Sequence, residues 1–466
     1  MGLSRDERRG IGRELRRETP RSAHAGWSAP ADRVDPLTIL ETQARSRVPD
    51  LIPIRHGRMA VSPNAFYRGA AAIMAADIAT TPSSGIVVQA CGDAHLSNFG
   101  MFASPERQLV FDINDFDETH PAPWEWDLKR LVASVAVVGR SHGMRRAETL
   151  DAVRATVAQY RETIQTMSEL RTLEVWYSQF GVDANLEALR TEIDNESAAL
   201  LEAQLAKTRR NDTIRAFSKM TELVNGRRRI IDSPPLVIRV DPAIAGEVLD
   251  HQLHKYRESL RPDIQSLLDR FTLVDFARKV VGVGSIGTRC WIALFEGGAD
   301  DDPLFLQIKE AQPSVLAPYT APVEFESQGQ RVVQGQRLMQ ANSDVLLGWS
   351  VVESSGVHYY WRQLRDMKGS IPPEHLGPAN FTLYVRLCAT SLGRGHAKGG
   401  DASLIAGYVG KSHTLDDAMA EFAVDYAAQN EADYPLSGRH RVRSPPRGDR
   451  LIVGLPSNAS RVCGHP

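Results

Sequence analysis

The sequence predicts a two-lobed α+β protein with a helical insertion, and three observations lead there. The chain has 466 residues, 42% of them apolar and 24% charged, which is enough to bury two cores and is an ordinary globular balance. Residues 271–370 read as strand, glycine loop, strand, strand, helix, strand, strand. Residues 51–165 and 371–434 read as mainly helical, interrupted by one loop and one hairpin rich in Asp and Asn. The stretch between them, 166–270, reads as a charged, helix-rich insertion.

Taken in order, residues 1–50 begin with Arg5, Arg8, Arg9, Arg13, Arg16, Arg17 and Arg21 among few apolar residues. That composition predicts a solvated, mobile basic tail. Residues 65–79 carry Phe66, Ala70, Ile73, Met74 and Ile78 at helical spacing, and 85–91 read as a strand. Gly92-Asp93-Ala94-His95-Leu96-Ser97-Asn98 is a loop by composition. A hairpin follows, turning at Ser104-Pro105-Glu106 and returning along 108–113. Residues 126–138 form a largely apolar helix, with Trp124 and Trp126 read as core. Residues 145–164 are amphipathic through Leu150, Val153, Val157, Tyr160 and Ile164. Ser233 to Ile238 is extended. In the second half, 280–282 and 290–295 are strands around a glycine loop and 304–308 is a third strand. Residues 331–340 are a helix, and 345–352 with 357–364 form a hairpin around Ser354-Ser355-Gly356. Residues 382–397 are a helix, with His396 and Asp401 read as its closing turn. From 435 to 466 the chain is polar and arginine-rich, predicting a second mobile tail.

Composition excludes several classes. The net charge of -2 gives no overall pull toward nucleic acid or membrane. Four cysteines without a Cys-x-x-Cys pair argue against structural zinc and a disulfide framework, which fits a cytoplasmic protein. No apolar run reaches the roughly 18 to 20 residues that span a bilayer. Oligomeric state is not legible.

The chemistry the motifs suit is phosphoryl transfer, which asks a protein to hold phosphates, place a metal on them and orient an acceptor hydroxyl. Asp93 is the candidate base or orienter. Asn98, five residues on, offers a neutral oxygen to Mg2+, and Asp115, at the far end of the hairpin, offers a carboxylate. Gly282-Val283-Gly284-Ser285-Ile286-Gly287 is the candidate phosphate clamp, its glycines letting backbone N–H groups approach closely. The strand character of Cys290 to Phe295 makes this a glycine hairpin rather than a dinucleotide-binding turn. Lys309, ending the third strand, is placed to meet the nucleotide's phosphates, with Glu324 or Glu326 of the following segment as its acidic partner. His95, Asp112, Asp117 and Arg68 are further candidates around the site. An arginine fork such as that of Arg58 or Arg68 suits an acceptor or a phosphate.

At these residues the chain resembles the aminoglycoside phosphotransferase and protein-kinase superfamily, whose catalytic segment reads His-Gly-Asp-x-His-x-x-Asn followed by Ile-Asp-Phe; Cys91 stands where that His would be. The likeness extends over Trp124 to Leu131, and it implies that Asp127 braces the catalytic loop from below. The order is inverted, since the superfamily's glycine loop and lysine precede the catalytic aspartate. The resemblance therefore implies a bilobal protein-kinase-like fold, circularly permuted. A closer resemblance, from Arg58 to Tyr434, is to the bacterial family known as domain of unknown function 2252. Its carriers are Arg58-Met59, Phe66 to Gly69, Gly92 to Gly100, Phe111 to Glu118 and Arg362 to Lys368.

The expectation is an ATP- and Mg2+-dependent phosphotransferase, with nucleotide and a small hydroxylated acceptor as partners. Three alternatives stay open: nucleotidyl (AMP) transfer, a nucleotide-binding pseudokinase, and a metal-dependent phosphohydrolase built on Asp93, His95, Asp112, Asp115 and Asp117.

Overall fold

The computed structural model describes residues 2–435 apart from 192–194, 211–212, 241, 300–301 and 365–366. The fold is mixed α+β around a six-stranded antiparallel sheet. In spatial order its strands are Gly348–Val352, Val357–Gln363, Pro303–Glu310, Cys290–Glu296, Thr272–Lys279 and Val237–Val240. The strand Cys290–Glu296 is apolar at nearly every position because both its faces are covered. Trp291, Ala293 and Phe295 alternate toward one core with Tyr256, Trp361 and Leu268. Ile292 and Leu294 point the other way, toward Phe217 and Ile230.

Those two covers correct the expected insertion at 166–270. Helices Pro242–Glu258 and Pro262–Leu268 clothe one face of the sheet, where the Tyr256 and Trp361 rings stack at 4.4 Å. Helix Thr213–Met220 with hairpin strands Thr221–Val224 and Arg227–Ile230 covers the other face, and Val237–Val240 supplies the sixth strand. From Thr213 on, the segment is thus part of the sheet's own core, whereas Val182 and Leu205 earlier in it pack into the helical core. Its charge pattern hid this, because short amphipathic pieces show only one apolar face each.

The largest core lies among helices Trp124–Ser141, Arg146–Glu169, Pro378–Gly399, Ala402–Val409 and Thr414–Asp433. The first of these is buried for most of its length, its charged Glu125, Asp127, Lys129 and Arg130 included. Trp124 stacks on Tyr160 at 5.6 Å.

The expected basic tail at 1–50 is instead folded onto this helical half. Residues Arg5–Glu18 form a helix begun by a capping box, in which Ser4 Oγ accepts from the Glu7 amide at 3.2 Å and the Glu7 carboxylate accepts from the Ser4 amide at 2.6 Å. Gly12 lets its backbone lie against Ala402–Val409; a Cβ there would stand 2.1 Å from the Leu404 carbonyl. Arg16 Nε donates to the Tyr408 carbonyl at 2.8 Å and Arg21 to that of Val409 at 2.7 Å. These arginines satisfy the orphan carbonyls at that helix's C-terminus, which is why they are not solvated. Arg33 then forks between Asp77 and Asp433, with closest approaches of 2.7 Å to each.

The expected tail at 435–466 lies, from 436 on, outside the described residues. The expected helix at 65–79 is two, Pro63–Gly69 and Ala71–Ile78, broken at Ala70. No helix among the described residues is long and apolar enough to cross a membrane.

Candidate active site

Strand Val87–Ala90, paired with His120–Pro123, delivers the loop that starts at Cys91. Gly92 has φ +83°, and a Cβ on it would stand 2.1 Å from the Glu118 carbonyl, so only glycine fits. Asp127, in the first turn of Trp124–Ser141, accepts from the amides of Cys91 at 2.7 Å and Gly92 at 3.0 Å. The same carboxylate meets His396 Nε2 at 3.2 Å, and His396 Nδ1 meets the Tyr160 hydroxyl at 2.8 Å. His396 is therefore a fully buried member of the last turn of helix Pro378–Gly399, as expected, whereas Asp401 lies beyond it and caps the next helix through the amides of Ser403 and Leu404.

One turn along from Asp127, Arg130 reaches back over the same face. Its Nε donates to Asp93 Oδ1 at 2.8 Å, Nη2 donates to the Tyr67 carbonyl at 2.8 Å, and its guanidinium carbon sits 3.9 Å above the Tyr67 ring. Burial works against that charge, but Tyr67 and Asp93 outweigh it and hold the guanidinium ionised. Asp93 Oδ2 is 3.6 Å from His95 Nε2. Burial, with Arg130 and Arg68 adding to it, pushes the His95 imidazole down to about 4, so it is neutral near pH 7. Asn98 gives its amide protons to the carbonyls of Asp93 at 3.1 Å and Asp115 at 2.9 Å, and its own carbonyl accepts from Asn114 N at 2.8 Å. It ties the two loops together, and its side-chain oxygen takes no part in either bond.

Lys309 comes from the centre of the sheet, 194 positions from Asp115 in sequence. Its side chain is 2% exposed, with Nζ 3.3 Å from each Asp115 oxygen and 2.6 Å from Asp117 Oδ2. Burial would strip its proton, but Asp115 and Asp117 outweigh burial and keep the ammonium charged. For Asp115 the same balance holds in mirror image, with Lys309 and Arg362 overcoming desolvation and holding its carboxyl below the usual range. Asp117 also accepts from the Tyr360 hydroxyl at 2.6 Å and from Ser285 Oγ at 3.2 Å. Tyr360 stands directly across from Lys309 in the register of the sheet.

The lysine's acidic partners are thus Asp115 and Asp117, and neither Glu324 nor Glu326, both of which are exposed. Helix Gln328–Met339 turns a cation inward instead: Arg331 donates to the carbonyls of Asp117 at 2.8 Å and Gln312 at 2.7 Å. A glutamate there would have met a carbonyl-lined pocket.

The glycine loop lies over this centre through Ser285. Its carbonyls turn toward the chain's early segment: Arg58 donates to Gly282 O at 2.7 Å and Arg47 to Gly284 O at 3.0 Å. Arg47 also donates to Ile286 O, and the Val48 amide to Gly287 O at 2.7 Å. Gly287, at φ +94°, presses on the Arg47 stem. Among the described residues the N–H groups of Gly284, Ser285 and Gly287 donate to no protein acceptor. Arg68 lies beneath, its carbonyl 3.3 Å from the place a Gly284 Cβ would take.

Asp112 does not join the site. It is buried against Arg394 at 2.6 Å and accepts from the Ala341 amide at 3.1 Å, on the other side of the hairpin. Sequence reasoning missed Arg130, Tyr360 and Arg331. Arg130 alone had a readable signal, since it lies three residues after Asp127 on one helix and shares its face. Among the described residues no three or more His, Cys, Asp or Glu side chains group to hold a metal through protein ligands alone. Asp115, 38% exposed, and the Asn98 amide oxygen suit Mg2+ in the manner of sites that one or two protein ligands begin and phosphates complete.

Fold and site together define a mixed α+β protein whose sheet brings a buried lysine onto two aspartates of a loop-and-hairpin segment. The chain belongs to the family described as "Uncharacterized protein conserved in bacteria (DUF2252)", whose model matches residues 47–437. Neither the curated proteins nor the solved structures contain a match.

Proposed function

We propose that the protein is an ATP- and Mg2+-dependent phosphotransferase acting on a hydroxyl acceptor, on a circularly permuted protein-kinase-like fold. The observation that carries this is the meeting of Lys309 with Asp115 and Asp117 beneath a glycine loop in which the Gly284, Ser285 and Gly287 amides donate to no protein acceptor among the described residues. A strand order that places the lysine strand centrally, with a helix and hairpin after it, supports the small-lobe assignment. On this reading Lys309 leaves the aspartates for the nucleotide's phosphates, and the glycine amides hold the terminal phosphate. Mg2+, held by Asp115 and Asn98, supplies charge neutralisation on those phosphates. Asp93, fixed by Arg130, accepts the acceptor's proton as the new oxygen–phosphorus bond forms and the bond to the ADP oxygen breaks. His95, neutral, positions that carboxylate.

The phosphohydrolase alternative finds little support, because Asp93 faces Arg130, Asp115 and Asp117 share Lys309, and Asp112 lies elsewhere against Arg394. The test is a thermal-shift titration with ATP, with and without Mg2+. Ligand at about 100 times its Kd adds about 2.7 kcal/mol, and over a chain of this size the midpoint rises by roughly 3 °C. Stabilisation that needs both ATP and Mg2+ and is lost in Lys309→Met and Asp115→Asn supports the proposal. Equal stabilisation of wild type and both variants would refute it.

A further inference from the structure

Resting on the phosphotransfer reading, the geometry points to an anion pocket on the acceptor side of Asp93, formed by Arg68 with Arg58 and His95, so that the hydroxylated acceptor carries a phosphate or carboxylate group. Four arginines of the segment before the catalytic loop, Arg47, Arg55, Arg58 and Arg68, form no ion pair among the described residues. Arg47 and Arg55 each donate to carbonyls, and Arg55 to Gln43, although Arg47 Nε and Arg55 Nε and Nη1 are also buried without an acceptor among the described residues. Arg58 commits one nitrogen to Gly282. Arg68 makes no hydrogen bond among the described residues, and its Nε is shut away from water without an acceptor. A buried, unpaired guanidinium nitrogen is costly, and such a group is kept where something else completes it.

Its place in the fold says what completes it. Arg68 ends helix Pro63–Gly69, whose Tyr67 carbonyl is held by the same Arg130 that holds Asp93, while its own carbonyl faces Gly284. Arg68 is therefore fixed between the glycine loop and the catalytic carboxylate. His95, beside Asp93, presents a second buried atom without a partner, Nδ1. A planar cation and an imidazole nitrogen next to a proton-accepting carboxylate recognise a molecule with an anionic head and a nearby hydroxyl. The hydroxyl goes to Asp93, whose charge Arg130 already balances, and the anionic group goes to Arg68. A cationic acceptor, such as an amino sugar, would meet Arg58 and Arg68 with like charge.

An anion at Arg68 has two sources, the acceptor and the terminal phosphate of the nucleotide, and the experiment separates them. Full-length protein is saturated with a non-hydrolysable ATP analogue and Mg2+, and binding of glycerol 3-phosphate, glycerate, glycerol and kanamycin is measured by calorimetry. The same titrations are run on Arg68→Met and Arg68→Lys, with melting curves of each to confirm folding. Expected is binding of one or both anions in preference to glycerol and kanamycin, weakened at least tenfold in Arg68→Met and partly restored in Arg68→Lys, with analogue affinity changed less than threefold. An equal loss of analogue affinity in Arg68→Met would assign the arginine to the nucleotide and overturn the inference. Binding of the analogue by wild type with no preference for the anions would overturn it too, while leaving phosphotransfer standing. Failure of wild type to bind the analogue at all would remove both.

Discussion

Asp112 and Arg394 provide the sharpest separation of scaffold from chemistry. Their side chains are 1% and 3% exposed and 2.6 Å apart, and Asp112 also accepts from the amides of Ile113 at 2.9 Å and Ala341 at 3.1 Å. Asp112→Ala leaves an uncompensated guanidinium in the core, which costs about 3–5 kcal/mol. With an unfolding entropy of about 2.1 cal/mol/K per residue, near 1 kcal/mol/K for the whole chain, the melting midpoint falls by roughly 3–5 °C. Removing both charges, in Asp112→Ala with Arg394→Met, recovers at least half of that loss, since the desolvated charge is gone. The assay is a melting curve of wild type, both single variants and the double variant, each repeated with MgATP. The ligand-induced shift should persist in all four. A double variant that falls by the sum of the singles, or an Asp112→Ala protein that melts like wild type yet loses the MgATP shift, would refute this account and return Asp112 to the active site.

Other consequences follow from single contacts. Gly92→Ala forces a Cβ to within 2.1 Å of the Glu118 carbonyl at φ +83°. The strained conformation alone costs about 1–3 kcal/mol, so the variant should melt at least roughly 1–3 °C lower and lose the proposed phosphotransfer, whereas Gly85→Ala, with nothing within 4 Å of its Cβ, should show only the effect of its φ of +76°. Burial pushes the Glu118 carboxyl up to about 7 from 4.5. Between those values the folded state binds the proton that the unfolded state has released, so this group's stabilisation is complete below about pH 4.5 and fades as pH rises through 7. Chemical denaturation across pH 4–8 should show wild type losing stability relative to Glu118→Gln over that window, and parallel curves would exclude the shift. Arg33→Met breaks the fork to Asp77 and Asp433 and should cost about 3–5 kcal/mol, with limited proteolysis then cutting near residue 33 in the variant but not in wild type.

Legibility in the sequence followed the range of the interactions involved. The loop from Gly92 to Asn98, the hairpin after it and the strand that follows the glycine loop were readable because Gly, Asp and Asn mark turns locally and strand alternation is a near-neighbour property, whereas the strand before the loop, expected at 280–282, runs instead over Thr272–Lys279. The hairpin also placed Asn98 near Asp115 correctly, since a hairpin returns to its start. Partnerships across the fold were not readable. Lys309 was assigned a glutamate from the next helix because local order was the only guide, whereas its real partners lie nearly two hundred residues earlier. The arginines from Arg5 to Arg21 look solvated by composition, and nothing local reveals that the helix at Ala402–Val409 needs its carbonyls capped. Asp112 and Asp117 are chemically alike and five positions apart, yet one faces Arg394 and the other Lys309.

The arginine stitching behind the glycine loop has a kinetic consequence. Four carbonyls of the flap, those of Gly282, Gly284, Ile286 and Gly287, are gripped by Arg58, Arg47 and the Val48 amide. The flap cannot lift on its own; it travels with the segment from Val48 to Arg58 or it breaks these bonds one after another. If a nucleotide is bound beneath it as proposed, its release is coupled to that latch, and loosening Arg47 is expected to quicken it.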